Sequence, residues 1–253
     1  MEPNNDASYT FEYLPANLPQ WEEAEVKLKL MQWNLDEHGA VRRFRLSCKF
    51  DVADEAAFLR CFFESPNVRA HVPLPPTAPT SLDRLVFERL RTNVTSMSFF
   101  DKLENEPDLV SNGGYLRKCI DEVYDHCTVS DTVREMLVNP DSDHADVFSK
   151  ADQAELIFQI FKRLATGGAM CQSDETLAPY LDTTKRIYKA LAAVRKAPHG
   201  LEVYSYVYLV TAPNKSTNAG LFPKTSPFNA CFVAVDPKKQ AVQCWYAPYV
   251  PFW

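Results

Sequence analysis

Residues 149–196 read SKADQAELIFQIFKRLATGGAMCQSDETLAPYLDTTKRIYKALAAVRK. The first part places apolar side chains on one face of a helix, which begins at the capping residue Ser149 and ends before Gly167. A second amphipathic helix follows and is closed by Pro198. We expect these two successive helices to pack against each other as a hairpin.

Strand patterns lie on both sides of this helical hairpin. Residues 43–50 alternate polar and apolar side chains, which is the period of a half-buried strand. Residues 201–211 are rich in Val and Tyr, and residues 231–235 and 241–246 flank a polar turn as the strands of a β-hairpin would. We therefore predict an α+β fold, in which the central helical hairpin and further helices pack with an antiparallel sheet that includes a C-terminal β-hairpin.

Two other segments carry the three- and four-residue spacing of a helix. The first helical face consists of Trp21, Ala24, Leu28, Met31 and Leu35, although Val26, Leu28 and Leu30 in the same segment also alternate as in a strand. The second, which Asn112 would cap, consists of Leu116, Cys119, Ile120, Val123 and Cys127. We expect both segments to bury these faces in the core.

The size of the chain sets its organisation. With 253 residues, of which 46% are hydrophobic, the chain is long enough to bury a sizeable core without disulfides or metals. We predict a single α+β domain over residues 1–253. Residues 72–80 form the candidate internal linker, since residues 72–79 contain four prolines and are too stiff for a helix or a central strand.

Composition limits the classes of function. No apolar run reaches the ~18–20 residues that span a bilayer, so no membrane insertion is expected. Seven cysteines, odd in number and without a C-x-x-C pair, predict reduced thiols. Residues 1–150 carry 16 basic and 26 acidic side chains, whereas residues 151–253 carry 11 and 7. This opposite polarity either steers a charged partner or lets the two regions neutralise each other in the folded state, and the acidic total argues against nucleic-acid binding.

The candidate chemical sites are weak. Asp141, Asp143 and Asp146 lack the remaining ligands and the glycine of a calcium loop, and the histidines and cysteines lack the spacing of a zinc site. Cys171 could be a nucleophile if a histidine reached it, or a buried thiol beneath the helix turn. We therefore expect no catalytic residue, no metal and no cofactor, with an enzyme site near Cys171 as the alternative.

Two features suit a partner-binding surface. Five basic residues lie on the predicted second helix with no acid between them, and they either dock an acidic partner or complement the helix dipole in solvent. These basic residues are Lys185, Arg186, Lys189, Arg195 and Lys196. The aromatic tail either anchors a partner or closes the core of this chain. Its candidate anchors are Trp245, Tyr249 and Trp253.

Blocks of the sequence resemble a known family. Residues 62–68, 96–103 and 130–134 match successive segments of the cilia- and flagella-associated protein 300 family, and the densest likeness lies between residues 167 and 196. Val235-Asp236-Pro237 is similar to the family's late hairpin. The likeness runs in the same order from about Phe62 onward, and it offers no catalytic motif to carry over.

The resemblance implies a cytoplasmic and ciliary factor that builds axonemal dynein arms. It implies dynein assembly factors, axonemal dynein subunits or intraflagellar transport machinery as partners, and a non-catalytic mechanism of protein binding. A stable structural protein of the axoneme is the other alternative that fits a chain without a catalytic motif.

Overall fold

The computed structural model describes residues 9–15, 18–82, 85–198, 200–212 and 218–252. The strands in these ranges are β1 (Phe11–Leu14), β2 (Ala40–Leu46), β3 (Phe87–Arg89), β4 (Lys118–Tyr124), β5 (Cys127–Asp131), β6 (Val194–Ala197), β7 (Gly200–Val203), β8 (Tyr206–Ala212), β9 (Ser226–Asp236) and β10 (Ala241–Ala247). The α-helices are α1 (Pro19–Glu22), α2 (Ala24–Gln32), α3 (Glu55–Glu64), α4 (Pro66–His71), α5 (Asp101–Glu104), α6 (Thr132–Val138), α7 (Lys150–Gln153), α8 (Leu156–Thr166) and α9 (Ala178–Leu191). Short 3-10 helices occupy Val52–Asp54 and Met97–Phe100.

Within the described residues, the main sheet has six strands in the order β1-β2-β10-β9-β8-β3, and each neighbouring pair is antiparallel. The predicted C-terminal hairpin is present as β9 and β10. Its turn is held by the Asp236 carboxylate, which accepts hydrogen bonds from the backbone N–H groups of Lys238 and Lys239 at 3.0 and 2.9 Å.

Helices cover both faces of the main sheet, because successive strand residues point to opposite sides. Val233 and Cys244 belong to the core that includes buried residues of α3 and α4. Phe232 and Trp245 belong to the core that includes buried residues of α1, α2, α8 and α9. The predicted α+β class is confirmed.

The predicted helical hairpin is formed by α8 and α9, which pack against each other. Gly167 ends α8 with a φ of 65°, a backbone conformation that side chains with a Cβ rarely adopt. The capping box of Ser149 and Asp152 is present, but it opens the separate helix α7. The long helix predicted from Ser149 is therefore two helices, because the chain turns at Ala154 and α8 begins at Leu156.

The helix predicted between Asn112 and Cys127 is wrong: the segment forms the β-hairpin β4–β5. Its two-residue turn has positive φ at both Asp125 and His126, 43° and 68°, as a type I′ turn requires. Ile120 of β4 is 85% exposed, whereas the predicted helix would have buried it.

The first predicted helical face is only partly buried. The segment predicted as one helix forms two, α1 and α2, because the backbone leaves helical values at Glu23. The core side of α2 consists of Val26 and Leu30, continued by Trp33. Leu28 and Met31, which were predicted to face the core, are 56% and 59% exposed. The segment therefore has an apolar side in the core and a second apolar side at the surface.

The proline-rich segment 72–80 contains neither helix nor strand, as its composition predicts. The guanidinium of Arg69 donates hydrogen bonds to the carbonyl oxygens of Ala78 and Pro79 at 2.6 and 2.9 Å. Val72 and Ala78 are buried. These contacts hold the segment against the fold.

Candidate partner-binding surface

Helix α9 separates an apolar side from a charged one. Ile187, Tyr188 and Leu191 are buried against the core. Lys185 and Lys189 lie one turn apart and are exposed, and neither forms an ion pair within the part of the chain that the structure describes. These two lysines therefore present positive charge to solvent.

Arg186 is engaged inside the fold. Its guanidinium forms ion pairs with Glu23 and with Glu25, the latter at 2.6 Å. Both carboxylates lie at the start of α2, so the pairs tie α9 to the α1–α2 segment. Arg186 is thus less available to a partner than Lys185 and Lys189 are.

The sequence predicts that Arg195 and Lys196 lie on the same helix as Lys185, and this prediction is wrong. Helix α9 ends at Leu191, and both residues belong to β6. Strand pairing takes over at this point: Ala193 accepts a hydrogen bond from Tyr204 N at 2.9 Å. In the β6–β7 hairpin, Arg195 pairs across the strands with Glu202 through two bonds of 2.8 and 2.9 Å. Lys196 is exposed.

The aromatic tail belongs to the core. Trp245 is 1% exposed and its ring stacks on Phe232 at 5.0 Å, and Tyr249 is 0% exposed. Buried side chains cannot anchor a partner without unfolding, so the surface role predicted for Trp245 and Tyr249 is corrected. Trp253 lies outside the described residues.

The Gly167-Gly168 loop fastens α8 to the end of α2. Gly168 N donates to Trp33 O at 2.8 Å, and a Cβ at Gly168 would lie 2.2 Å from Asn34 O. Gln172 N donates to Gln32 O at 2.9 Å. The loop thus needs glycine for a close approach between two backbones, not for holding a phosphate.

A polar cluster that the sequence did not reveal lies next to this loop. The Asp174 carboxylate accepts hydrogen bonds from Lys29 Nζ at 2.7 Å and from Trp33 Nε1 at 2.9 Å. The ring of Tyr180 stacks on Trp33 with centroids 4.6 Å apart, and its hydroxyl accepts from Asp174 N at 3.0 Å. No local sequence signal joins residues 29 and 174, because their contact depends on tertiary packing.

Cys171 sits beside a buried arginine. Arg134 Nη2 lies 3.7 Å from Cys171 Sγ. Arg134 Nε donates to Ala165 O at 2.7 Å and lies 3.8 Å from the Asp131 carboxylate. Burial raises the pKa of the Cys171 thiol to about 11, although the Arg134 charge acts to lower it. At neutral pH the side chain is therefore a thiol, which is a poor nucleophile.

Across the described ranges, His, Cys, Asp and Glu side chains form no group of three that could ligate a metal ion. The helices of those ranges are all too short or too polar to cross a bilayer. Of the site residues predicted from the sequence, the exposed lysines Lys185 and Lys189 of α9 and Lys196 of the β6–β7 hairpin form the candidate partner-binding surface.

Comparison with known proteins assigns the chain to a family. The family model for cilia- and flagella-associated protein 300 matches residues 8–247. A protein of that name from Chlamydomonas reinhardtii is 36% identical over 168 residues, which cover 65% of this chain and 65% of the relative, just under two thirds of its length. Another from Paramecium tetraurelia is 29% identical over 227 residues, which cover 88% and 87%. No solved structure matches the chain.

The family match extends from before β1 to the end of β10, and so includes the Gly167-Gly168 loop, α9 and the β6–β7 hairpin. Its name records an association with cilia and flagella. The chain belongs to the cilia- and flagella-associated protein 300 family.

Proposed function

We propose that this protein is a non-catalytic factor of the cytoplasm and cilium that assembles and transports axonemal dynein arms by binding other proteins. The observation that carries the proposal is the family match over residues 8–247. The raised pKa of Cys171 supports a mechanism without a cysteine nucleophile. The partners are dynein assembly factors, axonemal dynein subunits or intraflagellar transport machinery.

The binding surface in this proposal is the exposed basic side of α9 and the adjoining hairpin. Lys185 and Lys189 have no ion pair in the described ranges, and Lys196 is exposed on β6. Arg195 forms an ion pair with Glu202, and Arg186 forms ion pairs with Glu23 and Glu25. The three lysines therefore supply the attraction for an acidic surface on a partner.

Charge reversal tests the surface. The triple variant Lys185→Glu, Lys189→Glu and Lys196→Glu should capture at least about tenfold less partner, because like charges repel across an interface. Its melting temperature should stay close to that of the wild type, since the three side chains are exposed. Tagged proteins would be purified separately from the cytoplasm and cilia of ciliated cells, with dynein chains quantified by mass spectrometry.

A second triple variant, Lys49→Glu, Lys118→Glu and Lys224→Glu, is the matched control, because it makes the same change of net charge at exposed positions elsewhere. It should retain partner capture. Equal losses in the two variants would assign the effect to net charge and remove this surface from consideration. Absence of dynein chains and assembly factors from both wild-type fractions would contradict the proposed function itself.

A further inference from the structure

A groove of about 620 Å³ lies between the α1–α2 segment and the main sheet at β2 and β10. Trp21 and Trp245 line it, 7% and 1% exposed, and their rings meet edge to face with centroids 5.2 Å apart. Leu28 and Met31 of α2 line its opposite side and are more than half exposed. The groove is thus an apolar surface with a rigid aromatic floor.

The groove uses the second apolar side of the α1–α2 segment. The side chains that the sequence spacing groups on one helical face all line it, and they are Trp21, Ala24, Leu28, Met31 and Leu35. The other side, with Val26, is in the core, and Leu30 lies between the two sides, buried in the core and lining the groove. A helix that is apolar on two sides is typical of one packed between two layers, and the fold supplies one of those layers.

The occupant must bind through side chains, because the sheet offers it no backbone groups. Strand β2 is paired with β1 on one side and β10 on the other, and β10 is paired with β2 and β9. An added strand would find no free ladder edge here. An α-helix satisfies its own backbone and presents apolar side chains at intervals of three and four residues, so it suits such a groove.

The charged side chains that line the groove indicate which charge the partner helix should carry. Asp36 lines the groove, is exposed and has no ion pair among the described residues, and Glu37 follows it. Lys27, the lining lysine, is paired with Glu22. The guanidinium of Arg42 donates to His71 O at the end of α4, which packs on the other face of the sheet, so its charge is directed away from the groove. Among the charged side chains of the described residues that line the groove, the exposed one left without an ion pair is therefore Asp36, which favours Lys or Arg opposite it on the partner.

The same face of the sheet continues into an unpaired polar couple. Arg43 and Gln243 lie opposite each other, one step along the strands from the Val41 and Trp245 pair. The buried atoms Arg43 Nε and Gln243 Oε1 have no hydrogen-bond partner in the described residues. Both atoms are buried and neither residue lines the groove, so this couple lies beneath the surface and is not a contact for the occupant.

We propose that the groove docks an amphipathic helix of a protein partner, with apolar side chains against Leu28 and Met31 and a Lys or Arg opposite Asp36. This inference rests on the proposed function, since it takes protein binding as the activity and adds the kind of partner surface. The groove is a different surface from the lysines of α9.

A designed peptide tests the groove directly. The probe is a fluorescein-labelled helix of about 18 residues, long enough to be helical in water, with Leu on one face and Lys on the other. A twin peptide carries Glu in place of Lys. Fluorescence anisotropy would compare the wild type with the double variant Leu28→Asp and Met31→Asp, whose side chains are exposed, so that the fold should persist.

The matched control is the double variant Ile120→Asp and Val123→Asp, which adds the same charge at side chains 85% and 63% exposed on the β4–β5 hairpin. We expect the Lys peptide to bind the wild type and the control equally, and to bind the groove variant at least about tenfold more weakly. The Glu peptide should bind the wild type at least about tenfold more weakly than the Lys peptide does. No binding of the Lys peptide to the wild type, or equal binding to the groove variant, would overturn the proposal.

Two further measurements separate the other outcomes. A wild-type dimer in sedimentation velocity that the groove variant dissociates would replace the partner helix with a second copy of this chain. In ciliated cells, dynein chains captured equally by the wild type and the groove variant would overturn the groove as the partner site while leaving the proposed function intact. Dynein chains absent from the wild-type capture would overturn the proposed function, whereas the peptide measurement would still decide the groove.

Discussion

Arg163 shows how single side chains hold this fold. It is buried on α8, where its guanidinium donates to Gly167 O at 2.7 Å and to the carbonyls of Ala247 and Pro248 at 3.2 Å. Burial lowers the pKa of Arg163 to about 10, so it stays charged at neutral pH. A charged donor that meets three carbonyl oxygens compensates part of its desolvation cost, and it ties the glycine loop to the chain after β10.

At the residue scale, the reactivity of Cys171 distinguishes a core thiol from a nucleophile. With a pKa of about 11, the thiolate fraction should rise about tenfold for each pH unit between pH 8 and pH 10, and the rate of alkylation by iodoacetamide should rise with it. An unperturbed cysteine, with a pKa near 8.5, would approach a plateau in this range. Mass spectrometry of the peptide that contains Cys171 gives the rate at each pH.

The raised pKa of Cys171 also determines how its contribution to the stability of the fold changes with pH. A thiol whose pKa is raised on folding stabilises the folded state below about pH 8.5, and this contribution is lost as the pH rises toward about 11. Cys171→Ser provides the functional comparison: it should lower the melting temperature slightly and leave partner capture unchanged. A rate plateau below pH 9, with selective loss of function in the serine variant, would support the enzyme alternative.

At the scale of elements, sequence patterns predicted the segments whose spacing is long and unambiguous. The α8–α9 hairpin and the β9–β10 hairpin follow from helical or strand periodicity together with Gly and Pro at the ends. The strand predicted at residues 43–50 coincides with β2 only over residues 43–46, since β2 ends at Leu46. The β4–β5 hairpin was missed because its apolar residues coincide with a helical spacing and its turn uses Asp125-His126 instead of Asn-Gly. Periodicity alone does not separate the two structures in so short a segment.

The end of α9 was misplaced for a tertiary reason. Residues 192–196 continue the helical spacing, but Ala193 N donates to Ser205 Oγ at 3.0 Å and β6 pairs with β7. The pairing residues lie beyond the predicted helix, so its local sequence does not contain them. The exposed lysines of α9 were therefore predictable from the sequence, whereas the separation of Arg195 and Lys196 from them was not.

The hairpin turn gives a prediction at this scale. His126 has a φ of 68°, which costs a residue with a Cβ about 1–2 kcal/mol, whereas glycine adopts it freely. His126→Gly should therefore raise the free energy of unfolding by up to about 1 kcal/mol, after the added flexibility of the unfolded chain is subtracted. Urea denaturation followed by circular dichroism measures this change.

His38→Gly is the matched control, since His38 is exposed and is not among the residues with positive φ. It should lower the free energy of unfolding by about 0.5–1 kcal/mol, because glycine adds only unfolded-state entropy there. Opposite signs for the same substitution would support the type I′ turn. A loss of stability in both variants would contradict it.

For the whole molecule, the aromatic tail joins parts of the chain that are far apart in sequence. Tyr249 N donates to Asn229 Oδ1 at 2.8 Å, and the Tyr249 hydroxyl donates to His126 O at 2.8 Å. Its ring meets Phe228 edge to face, with centroids 5.3 Å apart. The tail thus holds the turn of the β4–β5 hairpin against β9. From the sequence, the aromatic tail could either anchor a partner or close the core of this chain. The burial of Trp245 and Tyr249 favours the second interpretation.

Tyr249→Ala should therefore lower the free energy of unfolding by about 3–5 kcal/mol, because it leaves a cavity and removes the bond to His126. Tyr249→Phe keeps the ring and should cost only about 1 kcal/mol, the contribution of one hydrogen bond. Tyr115→Ala, at a ring that is 57% exposed, is the control and should change stability by less than about 1 kcal/mol. Chemical denaturation gives these values, and capture assays on the folded fraction give binding. If the tail instead anchors a partner, Tyr249→Ala will leave stability unchanged and reduce capture, which is incompatible with a side chain that is 0% exposed.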